Sequence, residues 1–491
     1  MVSVPMEKVI RKSIVTLVAV FTAGALSAGA ASAADRPSAA RGAPWSAAEI
    51  TALHRDVDAI LARRTLRGAH LGLIVVESST GKILYAKNAD DEFMPASNFK
   101  LLVGSAALRA LGLGFTFKTT VSTDGTNLYL KGRGDAALRA ADLAEAAANI
   151  AVAGISHVGA VVTDASYFED QPYPEGWSWD DLPYYYAPVV SALDLEENVI
   201  HVYVRPGSAA GEPARLLIEP QTDAVTIDNR ITTGAPGSDD TTDVVRTFGD
   251  WKTVTLVGSH PLDGKQSDDL EPGVPDPAAY AGDVFLRALH EHGVVVDGPV
   301  RPGVQPAGAQ EVWSHASAPM PKLLADFWQP SDNLMGELFL RTLGVARSGA
   351  PGTSAHGIAA EEDYLKSIGV DPSTVSITDG SGLSQYDRIT PRDLLMILQS
   401  DWRSEHRDLI LDALPQSGVR GTLKAAYIGT PAEKNVFAKT GSISHVRTIS
   451  GYLRTHRHGT VTFSFLLDDW LEDAAGLARL RADLFSRIIT D

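Results

Sequence analysis

Met94-Pro95-Ala96-Ser97-Asn98-Phe99-Lys100-Leu101 opens an apolar helical stretch that runs through Gly104, Leu108 and Leu111 and stops at Gly112 and Gly114. On a helix, a three-residue spacing puts the Ser97 hydroxyl and the Lys100 amine on one face, where the amine can take the hydroxyl proton. An exposed lysine keeps its proton at neutral pH, so this chemistry requires neighbouring cations and partial burial to lower the Lys100 pKa. Ser-x-x-Lys is a weak motif alone, and Ser79-Thr80-Gly81-Lys82 matches it too. There the glycine and the flanking strand-like runs Leu71–Glu77 and Ile83–Ala86 indicate a hairpin turn. Ser97 instead has Pro95 just before a helix start, the positive end of a helix dipole and an apolar helix behind it.

Two more short motifs each occur once, in an order one site would need: Ser331-Asp332-Asn333 at the start of a predicted helix and Lys439-Thr440-Gly441 at the end of a predicted strand. Read alone, the first is equally a helix N-cap. In the second, the glycine lets backbone approach a ligand. Other chemistries are missing from the sequence. It has no Gly-x-Ser-x-Gly, no His-Glu-x-x-His and no phosphate-binding Gly-x-x-x-x-Gly-Lys-Ser/Thr. The pairs His290/His292 and His456/His458 have metal-ligand spacing, but such pairs are more often solvated surface residues, and no metal or cofactor is expected.

Around these motifs the chain divides by texture. Apolar residues recur at helical spacing from Ala47 to Leu66, followed by the two strands of the hairpin. Residues 118 to 303 show short β-rich runs (Thr119–Ser122, Ala160–Thr163, His201–Arg205, Ala224–Ile227, Val254–Val257) between turn-rich loops, with one helix at Ala278–His290. From about Glu311 helices return at Pro321–Trp328, Asn333–Leu343, Ala359–Ile368 and Pro391–Ser400. Strand-like Asn435–Lys439, Arg447–Arg454 and Thr460–Leu467 and a helix near Ala474–Ile488 close the chain. This order predicts an α+β fold whose antiparallel sheet, with helices on both faces, draws strands from both ends of the chain.

The chain's 491 residues imply several domains, and 44% hydrophobic with 21% charged residues is a globular composition. Lys8, Arg11 and Lys12, an apolar run from Ile14 to about Ala25, and Ala31-Ser32-Ala33-Ala34 indicate a secretory signal over residues 1–33, cleaved near Ala33. Removing it leaves a formal charge of −19, since three basic residues and one acidic residue go with it, and that excludes nucleic acid as a partner. There is no cysteine, hence no disulfide, thiolate ligand or thiol nucleophile.

The three motifs, together with Pro95 to Leu101, Gly132-Arg133-Gly134-Asp135, Asp379-Gly380-Ser381-Gly382-Leu383-Ser384 and Ser450-Gly451-Tyr452, resemble the D-alanyl-D-alanine carboxypeptidase/endopeptidases, the low-molecular-mass class C penicillin-binding proteins. The likeness covers most of the mature chain, with mild departures at Ala136 and Ser442. The resemblance implies a β-lactamase/transpeptidase-like catalytic domain from residues 34–117 plus 304–491. The 234 residues from Ser97 to Ser331 then hold a large, mainly β insertion, 118–303, forming one or two small domains. It also implies an acyl-enzyme on Ser97 with Lys100 as base. Ser331 and Lys439 would deliver a proton to the leaving amine, and Asn333 would bond the substrate backbone. Thr440 would bind the terminal carboxylate beside Gly441, with Ser442 in the oxyanion hole. The implied partners are peptidoglycan peptide stems, with β-lactams as covalent inhibitors. An acidic residue of the insertion would meet a cationic stem end, for which Asp180 in Gly176-Trp177-Ser178-Trp179-Asp180-Asp181 is the candidate. Two readings differ in chemistry: a β-lactamase, disfavoured because no Glu-x-x-x-Asn follows Asn333, and a catalytically idle wall-binding or sensor protein, disfavoured by the intact motifs.

Overall fold

The computed structural model describes residues 42–491 apart from 170, 247–249, 251, 268, 269 and 472, so the signal-like segment 1–33 lies outside the described residues. Five antiparallel strands form the central sheet, in the order Val436–Ile443, Val446–Arg454, Thr460–Asp468, His70–Glu77, Ile83–Lys87. Three come from the C-terminal end and two from the N-terminal end, as expected. Helices cover both faces, and the strand alternation sorts side chains between them. Leu73, Val75, Ile449 and Phe463 pack with Val57 of helix Ala47–Leu61 and with Leu484 and Ile488 of helix Ala474–Thr490. On the other face, Phe437 and Tyr452 join a core built from helices Lys100–Leu111, Met320–Trp328, Asn333–Ser348 and Pro391–Arg403. Each fully buried Leu or Phe in these layers contributes about 2 kcal/mol.

The inserted region carries its own sheet, ordered Arg301–Pro302, Val161–Asp164, Leu128–Gly132, Lys118–Thr123, Gln310–Ala316, against helices Ala140–Val152 and Pro277–Glu291. Smaller sheets of short strands between His201 and Pro261 complete it. Several elements here were not expected, and three of them shape the larger sheet. Helix Ala140–Val152 buries Leu143, Ala146, Ala147 and Ile150, an apolar stripe half made of alanine, which reads weakly as a core face. Strand Leu128–Gly132 was also passed over. Strand Gln310–Ala316 pairs with Lys118–Thr123 beyond residue 303, so the strand pairing of this sheet runs on to Ala316.

Candidate active site

Ser97 stands in a 3-10 turn, Ala96–Phe99, that feeds helix Lys100–Leu111. Tertiary bonds hold the turn. Thr448 Oγ1 donates to Pro95 O at 2.8 Å, and Trp328 Nε1 donates to Lys100 O at 2.9 Å. The buried Asn98 amide is satisfied when its nitrogen faces Lys439 O (2.5 Å) and its oxygen accepts from Ile449 N (3.2 Å). Ala96 takes φ +45°, a left-handed conformation a non-glycine residue adopts only when its surroundings impose it.

Lys100 is fully buried, with Nζ 2.9 Å from Ser97 Oγ, 2.5 Å from Asn333 Oδ1 and 2.5 Å from Ser381 O. Burial lowers its pKa to about 8, against the opposing pull of Asp379, Asp332, Glu337 and Asp387. This refines the expected cause: burial is complete, not partial, and it dominates over four opposing carboxyl charges, with Lys439 the neighbouring cation.

Asp332 caps helix Asn333–Ser348 by accepting from Met335 N at 2.9 Å, and the residues on either side of it reach the two buried lysines. Ser331, at φ +71°, accepts from Lys439 Nζ at 2.8 Å. Asn333 accepts from Lys100 and donates through Nδ2 to Tyr186 O at 2.6 Å, reaching the inserted region. Lys439 lies within the strand Val436–Ile443 rather than at its end, is fully buried, and also donates to Thr440 O at 2.8 Å. Burial pushes its pKa well down, helped by the charge of Lys100.

Thr440 Oγ1 lies 2.8 Å from Thr422 Oγ1, Gly441 is buried, and Ser442 is exposed. A Cβ on Gly441 would stand 2.9 Å from Ser97 N and 2.8 Å from Pro95 O, so only glycine lets the strand lie this close to the serine turn. Thus the structure brings Ser97, Lys100, Ser331, Asn333, Lys439 and Thr440 into one network joined by Gly441. The competing Ser79 and Lys82 sit in the hairpin turn, where Lys82 Nζ donates to Trp45 O at 3.1 Å. His290, His292 and His456 are exposed, but His458, expected on the surface, is buried, stacked on Trp45 and bonded to Ala43 O at 2.6 Å.

Asp180 is exposed on the segment 176–186, which meets the catalytic part at two points besides Tyr186. Trp177 Nε1 donates to Asp379 Oδ2 at 2.7 Å, and Gln385 N donates to Gly176 O at 3.1 Å. The sequence marks Ser381 only as part of the run 379–384, with no role, and does not mark Tyr186 or Thr422. The first two act through backbone carbonyls, which no side-chain pattern announces, and Thr422 through a hydroxyl in the short turn Gly421–Leu423.

Comparisons with known proteins bear on the fold and the family. The solved structure of penicillin binding protein 4 (dacB) from Haemophilus influenzae is similar with a TM-score of 0.80 at 24% identity, over 89% of this chain and 99% of that one. A further structure of it, complexed with a β-lactam, has a TM-score of 0.76 at 22% identity. Both likenesses concern the fold. The D-alanyl-D-alanine carboxypeptidase of Actinomadura sp. (strain R39) is 35% identical over 431 residues, 83% of this chain and 79% of that protein. The model of the D-Ala-D-Ala carboxypeptidase 3 (S13) family matches residues 53–484. A match over that much of the chain, carrying a serine and a buried lysine in contact, means that the chain belongs to the D-Ala-D-Ala carboxypeptidase 3 (S13) family.

Proposed function

We propose that this serine peptidase removes the terminal D-alanine from peptidoglycan stem peptides through an acyl-enzyme on Ser97. The observation that carries the reading is the set of contacts around Lys100. A neutral amine has two N–H bonds and one lone pair; Asn333 Oδ1 and Ser381 O accept the two N–H bonds, which leaves the lone pair for the Ser97 hydroxyl. Ser97 Oγ then attacks the carbonyl between the two D-alanines as its proton moves to Lys100 Nζ. The N–H groups of Ser97 and Ser442 receive the oxyanion. Collapse breaks the C–N bond. The proton that Lys100 received passes to the departing D-alanine amine by way of Lys439 and Ser331, which stand 2.8 Å apart, and this returns Lys100 to its neutral form. Water cleaves the resulting ester with Lys100 again as base.

Thr440, beside the Lys439 charge, binds the substrate's terminal carboxylate. Asn333 bonds its backbone, and Asp180 receives a cationic end of the stem from the exposed segment 176–186. Cleavage of cross-links uses the same groups, and β-lactams enter by the same attack on their strained amide. The reading includes export after cleavage near Ala33. It also includes a catalytic domain of two chain segments separated by an insertion from 118 to about 316, a limit supported by the pairing of Gln310–Ala316.

The test is incubation with a small peptide ending in D-Ala-D-Ala and assay of free D-alanine. Release is expected, and it should vanish in Ser97→Ala. A folded wild-type sample that releases none overturns the reading.

A further inference from the structure

The loop 379–384 is folded around a single carboxylate. Asp379 is fully buried and accepts five hydrogen bonds. Four come from the loop itself, from Ser381 N (3.1 Å), Ser381 Oγ (2.8 Å), Gly382 N (2.6 Å) and Ser384 N (2.9 Å). The fifth, from Trp177 Nε1 at 2.7 Å, comes from the inserted region. With the loop wrapped in this way, the Ser381 carbonyl meets Lys100 Nζ at 2.5 Å. Trp177 shares its segment with Tyr186, whose carbonyl holds Asn333, the other acceptor for Lys100. One buried anion therefore ties the neighbours of the lysine to the inserted segment 176–186.

We propose that Asp379 is a positioning residue with two tasks: it fixes the Ser381 carbonyl that orients Lys100, and through Trp177 it sets the height of the inserted segment over the substrate. The inference rests on the reading of Lys100 as the base. A carboxylate suits the place because each oxygen can accept more than one N–H or O–H. An asparagine of the same shape would turn an NH2 group toward donors and leave some of them unpaired in a dry environment.

Asp379→Asn is therefore expected to slow acylation by benzylpenicillin, per folded molecule, on the order of 10²-fold, the scale of a misplaced catalytic group. It should also move the rising limb of the pH profile to lower pH. The charged or titratable groups bearing on Lys100 are Asp379, Asp332, Glu337 and Asp387, with Lys439 beside it, and loss of the Asp379 anion removes a force that holds the proton on. A residue that served folding alone would lower the yield or melting temperature without moving that limb.

Trp177→Phe keeps an aromatic ring, smaller than the indole, and deletes one charge-assisted bond. It should reduce kcat/KM for a stem peptide about tenfold and reduce benzylpenicillin acylation distinctly less, since penicillin lacks the stem. Wild-type acylation and an unmoved limb in Asp379→Asn would overturn the first task, and equal effects of Trp177→Phe on both substrates would overturn the second. If Asp379→Asn does not fold, Trp177→Phe decides alone, with equal effects or none rejecting the proposal. Failure of the underlying reading looks different: Lys100→Ala would then acylate at the wild-type rate.

Discussion

Lys100 shows how one residue is tuned by opposing forces. Four carboxyl groups pull its proton affinity up, yet burial wins and leaves a pKa of about 8. Part of the reason is that the carboxyls are themselves buried. Burial raises Glu337 to about 7, so its charge is partly titrated away near neutrality, and it raises Asp387 well above the usual carboxylate range. The sign for activity follows directly: the base must be deprotonated, so benzylpenicillin acylation should climb from pH 7 to pH 9 with a midpoint near 8. Lys100→Ala should lose about 10³-fold of that rate. Stopped-time intact-mass measurements across the range would show it, and a flat profile would mean that Lys100 is not the titrating base. The pairing of Ser97 with Lys100 was legible as a spacing. The depth of the lysine and the sign of its charged surroundings were not, because Asp379 and Glu337 reach it from residues 279 and 237 positions away.

At the scale of elements, the site depends on the edge strand Val436–Ile443 pressing against the Ser97 turn. Gly441 is the point of pressure, since an added Cβ would meet backbone atoms of Pro95 and Ser97 that cannot swing aside like a flexible side chain. Gly441→Ala should therefore force strand and turn apart and lower acylation about 10²-fold, given the cost of ångström-scale misplacement. Gly114→Ala, where a Cβ meets nothing within 4 Å, should leave acylation unchanged and serves as the control. A Gly441→Ala variant with the wild-type rate would show that this contact is slack. Strands such as His70–Glu77 and Thr460–Asp468 in the central sheet were legible because they are runs rich in apolar residues and buried almost throughout. Gln310–Ala316 was not, because every residue in it keeps some exposure, so no buried alternation marks it. Ala140–Val152 escaped for another reason: alanine fills half of its buried stripe, and alanine is as common on exposed helix faces.

Across the whole molecule, the site lies where the inserted region meets the catalytic sheet and helices, through Tyr186 to Asn333 and Trp177 to Asp379. The motifs announced the catalytic side of this junction. The inserted side acts through a carbonyl and an indole N–H, and only the folded chain shows where they point. The same arrangement bears on what happens after penicillin acylates Ser97. A fast second step needs a group free to activate water from outside the Ser97–Lys100 pair, and each of the carboxyls whose charges reach Lys100 already accepts at least one hydrogen bond. Asp379 is saturated by five donors, and Asp332 caps a helix. Glu337 holds Arg341 and the Gly380 N–H, and Asp387 accepts from Thr378 N at 2.7 Å while burial pushes its pKa well above the usual carboxylate range. The opened ring also keeps its leaving group tethered over the ester, where it blocks water and occupies the place a departed D-alanine would vacate. The acyl-enzyme should consequently persist. Intact-protein mass spectrometry after mixing with benzylpenicillin is expected to show one added penicillin per chain, carried by the Ser97 peptide and absent in Ser97→Ala. Rapid turnover to free penicilloate would instead identify a β-lactamase on this fold, and label on Ser79 would move the nucleophile to the other Ser-x-x-Lys.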